Sequence, residues 1–235
     1  MQSYDTVTAI KNFIVFEGID GSGTTTQMRR LSSMMEKNAI PHMITAEPTS
    51  RPEGVLIRRV LRGDIKAEPG TVAYLFAADR YQHVFGDEGI LNATRGGKIV
   101  VCDRYSLSSL AYQGITCGKE LPKRLNEVFP VPGLTIFFRI DPETAMRRVI
   151  SRDQLEIYEK LHIQKQVSAA YEEALADAKA AGWKIAVIDA EKPMDEVTGQ
   201  IFLALETHLE THLETHLETH LETRLETRLQ TGLEY

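Results

Sequence analysis

Cysteine is nearly missing from these 235 residues: only Cys102, inside an apolar run, and Cys117, in an expected loop, occur. Two thiols so placed exclude a disulfide framework and point to a reducing compartment, one as core filler and the other as bystander. Long apolar runs are missing too. None approaches the roughly 18 residues that a membrane span needs, and the opening stretch MQSYDTVTAIKN has neither the charged start nor the apolar middle of an export signal. The expected location is the cytoplasm. Basic residues are in deficit, 27 Lys and Arg against 33 Asp and Glu, for a formal net charge of −6. Binding along a nucleic-acid backbone runs on clustered cations, so a general affinity for nucleic acid is excluded and any bound phosphate should be held in a local site.

What is present suffices for a core. A hydrophobic content of 43% over this length suits one ordinary domain plus a tail. Short apolar runs at 13–16, 42–45, 99–102, 135–140 and 184–188 read as buried strands, each followed by helical spacing. Five strands joined by crossover-length connections predict an α/β fold of three layers, a five-stranded parallel sheet with helices on both faces. Ligands of such sheets gather beyond the carboxyl ends of the strands, at the switch point. A glycine-rich stretch follows the first run, Glu47-Pro48 the second and Asp103-Arg104-Tyr105 the third, so all three fall on that side.

The glycine-rich stretch GIDGSGTTTQ carries Gly18, Gly23 and Thr25 at the spacing of a phosphate-binding loop, with one absence: Thr24 stands where the loop's lysine belongs. Gly18, Gly21 and Gly23 are expected to supply the positive-φ backbone that aims N–H groups at an anion, and Thr25 a hydroxyl for Mg²⁺. Loss of one such cation costs about 3 kcal/mol of transition-state binding. From the loop alone, two readings stay open: a strand, turn and helix that merely need glycines, or a loop that works without this ammonium.

From Leu205 the chain repeats LETH and LETR units. As a helix, a leucine every fourth residue drifts by about 40° per step, and glutamates meet like charges at i,i+4, so the repeat makes a poor autonomous helix. His208, His212, His216 and His220 are spaced for Zn²⁺ or Ni²⁺; the plainer reading is a duplicated repeat that extends the last helix and then frays.

Four segments in order give the chain a resemblance to the thymidylate kinase family. FEGIDGSGTTTQ resembles its phosphate loop, LFAADRYQHV its acceptor helix, DRYSLSSLAYQG its third strand end and following helix, and IDAEKPMDEV its last strand and helix entry. The likeness covers about residues 12–204, leaving 205–235 as the repeat tail. The resemblance implies a nucleoside monophosphate kinase of the phosphate-loop class, with ATP as donor, Mg²⁺ as cofactor, dTMP as acceptor and a homodimeric assembly. Gly18, Ile19, Asp20, Gly21, Ser22, Gly23, Thr24, Thr25 and Thr26, with Arg148, would then hold ATP, and Thr25 and Asp103 the metal. For dTMP it implies Phe76 stacked on the base, Arg80 at its O4, Ser109 and Gln113 at the base edge, and Tyr112 crowding the sugar 2′ position. Arg104 and Arg58 would grip the monophosphate, with Glu47 beside them and Asp20 at the sugar 3′-hydroxyl.

Elementary chemistry agrees in part. Phe76 and Arg80 lie four apart, as do Ser109 and Gln113, which puts a stacking plane with a forked donor on one helix face and two polar groups on another. A departure stands at Ala46, where the family has an arginine, and nearby Arg51 is a candidate substitute. The lid is expected at about 147–167, with Arg152 delivered to the γ-phosphate in place of the missing lysine and Arg147 on the solvated face. Asp20, Arg104 and Arg152 are thus the expected catalytic residues. Two competitors remain: a nucleotide-binding relic of the family, favoured by Thr24 and Ala46, and a kinase for another pyrimidine monophosphate such as dUMP.

Overall fold

The apolar run at 13–16 is the middle of a longer strand, β1 (Ile10–Gly18), because its neighbours also find partners. Strand β3 (Ile99–Asp103) pairs with one edge of β1 and β4 (Pro132–Arg139) with the other, both parallel. Phe13, Ile14, Val15 and Phe16 are each at most 1% exposed, and burial of such a side chain contributes about 1.5–3 kcal/mol. Strand β2 (His42–Ala46) extends the sheet beyond β3 and β5 (Ile185–Asp189) beyond β4, giving the order β2-β3-β1-β4-β5 with every pair parallel. This is the expected sheet, with strand ends moved by a few residues because pairing with a neighbour, rather than apolarity, ends a strand.

These coordinates come from a computed structural model that describes residues 9–150 and 161–209. Its helices are α1 (Thr24–Lys37), α2 (Pro52–Leu61), α3 (Pro69–Phe85), α4 (Ile90–Arg95), α5 (Ser106–Cys117), α6 (Glu120–Asn126), α7 (Pro142–Ile150), α8 (Leu161–Ala180) and a last one, α9, over 194–209. They cover both faces of the sheet. On one face Ile14, Phe16 and Ile136 pack with Leu31 of α1. On the other, Phe13, Val15 and Cys102 pack with Val84 of α3, Ile90 of α4 and Phe129. Cys102 is a buried free thiol and Cys117 a half-buried one.

Helix α9 repeats the buried spacing Val197, Ile201, Leu205, and His208 follows them into the interior with a ring nitrogen 2.8 Å from the Lys11 carbonyl. The first LETH unit is therefore packed, and the boundary expected after residue 204 falls inside this helix. His212, His216 and His220 lie outside the described residues, as does the 151–160 part of the expected lid with Arg152. Since the chain leaves β1 toward β2 and β3 on one side and places β4 and β5 on the other, the switch point is the carboxyl end of β1.

Candidate active site

A cleft of 730 Å³ opens at that switch point. One wall is the loop from Ile19 to Thr26, and the opposite wall carries Arg58, Phe76, Arg80, Arg104, Tyr112 and Gln113. Gly21 and Gly23 have φ of 86° and 97°, the left-handed region that costs a side chain dearly. Gly18 corrects the expectation, since it has no positive φ. It is glycine because a Cβ there would stand 2.8 Å from Ser22 Oγ and 3.1 Å from the Phe138 carbonyl. Helix α1 starts from Gly23 with no side-chain cap and no acidic residue in its first turn. Among the described residues nothing accepts from the Thr24 and Thr25 N–H groups, so they and the positive end of α1 face the cleft as an anion seat.

Thr24 and Thr25 donate through their hydroxyls to the same carboxylate oxygen, Oδ2 of Asp103, each at 3.3 Å. The other oxygen, Oδ1, is buried without a partner. Burial raises the Asp103 carboxyl above its ordinary value, against the pull of Arg104 and of the two hydroxyls. An orphaned carboxylate oxygen beside a threonine hydroxyl fits Mg²⁺, which takes one or two protein oxygens and completes its shell with waters and nucleotide phosphates.

Arg104 takes the left-handed conformation at φ 69°, a cost of about 1–3 kcal/mol for a residue with a Cβ. Its N–H bonds the Phe16 carbonyl at 2.8 Å, which fixes the strained residue to β1. The guanidinium pairs with Asp20 and lies over the Tyr112 ring, 5.0 Å from its centroid. The second Asp20 oxygen accepts from Nε2 of Gln164 at 3.2 Å, and Gln164, on α8, is fully buried. Asp20 is thereby held between the strand end and α8, whose buried first turns, with Gln164 and Val167, occupy the 161–167 end of the expected lid.

On the acceptor wall, Arg80 is 1% exposed and lies over Tyr105 at 4.9 Å and Phe129 at 5.6 Å. Its Nε and Nη2 bond Glu47 Oε2 at 2.8 and 2.7 Å, and its Nη1 bonds Asn126. The remaining Glu47 oxygen accepts from Nδ1 of His83 at 3.0 Å, and Nε2 of that ring is 2.7 Å from the Thr45 hydroxyl. Glu47 thus holds Arg80 in place. Arg58 donates to the Thr49 carbonyl at 2.5 Å and to the Pro48 carbonyl, while buried Asp79 accepts from the Thr49 N–H at 2.8 Å and its hydroxyl at 2.5 Å. Gln113 is 2% exposed, and its buried Oε1 is unpartnered.

Four expected residues among those described stand apart from the cleft lining: Ser109, buried with an unpartnered hydroxyl; Arg148, which donates to the Ala190 carbonyl at 3.1 Å; and Gly18 and Ser22, behind the loop. Arg51 does not replace the arginine missing at Ala46. It precedes the first residue of α2 with its guanidinium beside Gly86, and Arg62 and Asp64 line that part of the cleft.

Sequence reasoning missed Glu17, a fully buried acid in the central strand. Its Oε1 accepts from the N–H groups of Tyr105 and Ser108 at 3.0 and 3.2 Å, capping α5, and its Oε2 from the hydroxyls of Ser108 and Tyr171 at 2.6 and 2.9 Å. The two hydroxyls are themselves 2.7 Å apart. Burial raises its carboxyl above the ordinary value, against the pull of those hydroxyls and of Arg104. The signal that a reader of the sequence has is one charge at the end of the run FIVFEG.

A sequence profile of the family described as Thymidylate kinase matches residues 16–201. The chain is 36% identical over 208 residues to a thymidylate kinase of a Geobacillus species, covering 82% of this chain and 95% of the relative. With a thymidylate kinase of Mycoplasmoides gallisepticum it shares 35% over 205 residues, 83% of this chain and 96% of the relative.

Proposed function

The chain belongs to the thymidylate kinase family, and from that premise we propose that it transfers the γ-phosphoryl group of ATP to dTMP, releasing ADP and dTDP. The observation that carries this reading is the single cleft whose one wall is a phosphate-seating loop and whose other wall combines Phe76, Arg80, Arg104, Tyr112 and Gln113. The chemistry asks chiefly for positioning and charge neutralisation of an in-line transfer. In this proposal the loop N–H groups seat the ATP phosphates, Arg104 and Arg58 hold the dTMP phosphate, and Asp20 takes the sugar 3′-hydroxyl. Phe76 covers the base, while Arg80, Ser109 and Gln113 read its edge and Tyr112 excludes a 2′-hydroxyl. Glu47 orients Arg80. Thr25 and Asp103 would hold Mg²⁺, which would supply positive charge to offset that of the phosphates. The lid is assigned to 147–167, with Arg148 near ATP and Arg152 supplying the cation that Thr24 lacks.

Cytoplasmic placement and independence of nucleic acid belong to the same proposal, supported by low cysteine content and a net charge of −6. Among the described residues no helix is long and apolar enough to cross a membrane. A homodimer is proposed too, since α3 leaves Tyr74 and Tyr81, 59% and 51% exposed, beside exposed Val55 of α2.

The test is ADP release measured with dTMP, dUMP, dCMP or no acceptor, in the native chain and in Thr24→Lys. A signal that depends on dTMP supports the kinase. Equal background in every arm of both proteins identifies a nucleotide-binding relic, and a preference for dUMP reassigns the acceptor.

A further inference from the structure

Two bonds hold one edge of the Arg80 guanidinium, and both end on the same atom: Nε and Nη2 donate to Oε2 of Glu47 at 2.8 and 2.7 Å. The Arg80 Cζ lies 4.9 and 5.6 Å from the ring centroids of Tyr105 and Phe129, and these rings resist tilting of the guanidinium plane. Neither contact resists rotation within that plane, because two bonds that meet at one oxygen leave it as a pivot. The third bond comes from a different element. Asn126, the last residue of α6, accepts from Nη1 through its side-chain oxygen.

The amide of Asn126 is itself oriented. Its Nδ2 donates to the Pro122 carbonyl, one turn back in α6, at 2.6 Å, which leaves Oδ1 for Arg80. The main-chain carbonyl of Asn126 accepts from the Phe129 N–H at 3.2 Å, so the turn after α6 delivers the amide oxygen and one of the two rings together. Helix α6 packs against α3, which carries Arg80, and against α5, which carries Gln113. A guanidinium has five N–H groups. Among the described residues one each on Nε, Nη1 and Nη2 is engaged, which leaves one on each terminal nitrogen. Arg80 lines the acceptor wall although it is almost wholly buried, so the protein rather than solvent sets the direction of those two groups.

We infer that Asn126 is a positioning residue for base recognition: it stops the Arg80 fork from turning about Glu47 and so aims the two remaining N–H groups at the 4-oxo edge of the acceptor base. This rests on the reading of the cleft as a dTMP site. Donors held in that direction pair with a 4-oxo group and find no acceptor in the 4-amino group of cytosine, whereas a fork free to turn tells the two apart less sharply.

The test compares Asn126→Leu with Asn126→Asp. Both stay close to the native side chain in size and both lose the bond to Pro122; only Asp keeps an oxygen against Nη1. In assays of ADP release, Asn126→Leu is expected to raise KM for dTMP about tenfold, the weight of one bond to a charged group, and to lower the preference for dTMP over dCMP by about as much, with KM for ATP within about twofold of native. Asn126→Asp is expected to restore the values for dTMP. Equal KM for dTMP in the two variants overturns the inference, and so does a KM for ATP that rises in step with it, which marks a purely structural role. The ligand-free protein supplies a check that does not depend on the acceptor. The Arg80 Nε–H signal in proton–nitrogen NMR, assigned through Arg80→Lys, is expected to exchange with water at least about tenfold faster in Asn126→Leu than in the native protein or Asn126→Asp. If that contrast holds while ADP release in the native protein ignores dTMP, the acceptor assignment falls and the clamp on Arg80 stands; equal exchange in all three proteins overturns the clamp itself.

Discussion

At position 24 a hydroxyl replaces an ammonium, and the substitution changes which partner Asp103 keeps. Thr24 donates to Asp103 at 3.3 Å where a lysine would place a full charge. If Arg152 supplies that charge, the two positions are coupled. Arg152→Ala in the native chain is expected to lower kcat by about 100- to 1000-fold, the range for removal of one transition-state donor. The same change in a Thr24→Lys background should cost at least about tenfold less, and a double-mutant cycle on kcat measures the difference. Additive losses would detach Arg152 from this role. Glu17 poses a separate question, of support rather than chemistry. Tyr171→Phe removes one of its two hydroxyl donors and is expected to lower stability by about 1–2 kcal/mol. A fall in the urea midpoint with little change in KM for ATP would mark Glu17 and Tyr171 as a scaffold beneath α5.

Among the elements, the segment between β2 and α2 is where room is scarcest. A Cβ on Gly54 would lie 1.9 Å from the Thr49 carbonyl, which Arg58 already holds, and 2.6 Å from the Thr49 nitrogen, whose N–H Asp79 accepts. Gly54→Ala is therefore expected to lower stability by about 1–3 kcal/mol or more and, by shifting Pro48 and Thr49, to raise KM for dTMP more than KM for ATP; calorimetry and initial rates check the two halves. How much of this was legible beforehand depended on the distance over which each element is specified. The strand centres at 13–16 and 100–102 were readable because burial on both faces leaves a local apolar signature. Asp103, Arg104 and the loop were readable because they sit where strands end. Glu17, Gln164 and the tie between Glu47 and His83 were not, since their meaning arises only when parallel pairing brings α5, α8 and α3 over the strand ends. The conformation of Gly18 was misread for a related reason, because its constraint is a neighbour's atoms rather than its own φ.

For the molecule taken whole, buried acids set the response to pH. Burial is the leading cause that raises Glu17 above its ordinary 4.5 and Asp79 and Asp103 above 3.8. A carboxyl raised on folding binds its proton more tightly in the native state than in the unfolded one. Its contribution to stability is complete below the ordinary value and is withdrawn as pH rises through the raised one. The urea midpoint should therefore carry a component that declines from pH 4.5 upward, and Glu17→Gln should flatten it; parallel pH profiles for the two proteins would refute the account for Glu17. The sheet order has a consequence for how the chain is made. Strand β1 is translated first, yet its partners begin at residues 99 and 132. A ribosome therefore exposes an apolar central strand early and must add more than a hundred residues before both of its edges are paired, which leaves that strand open to association until β4 has emerged.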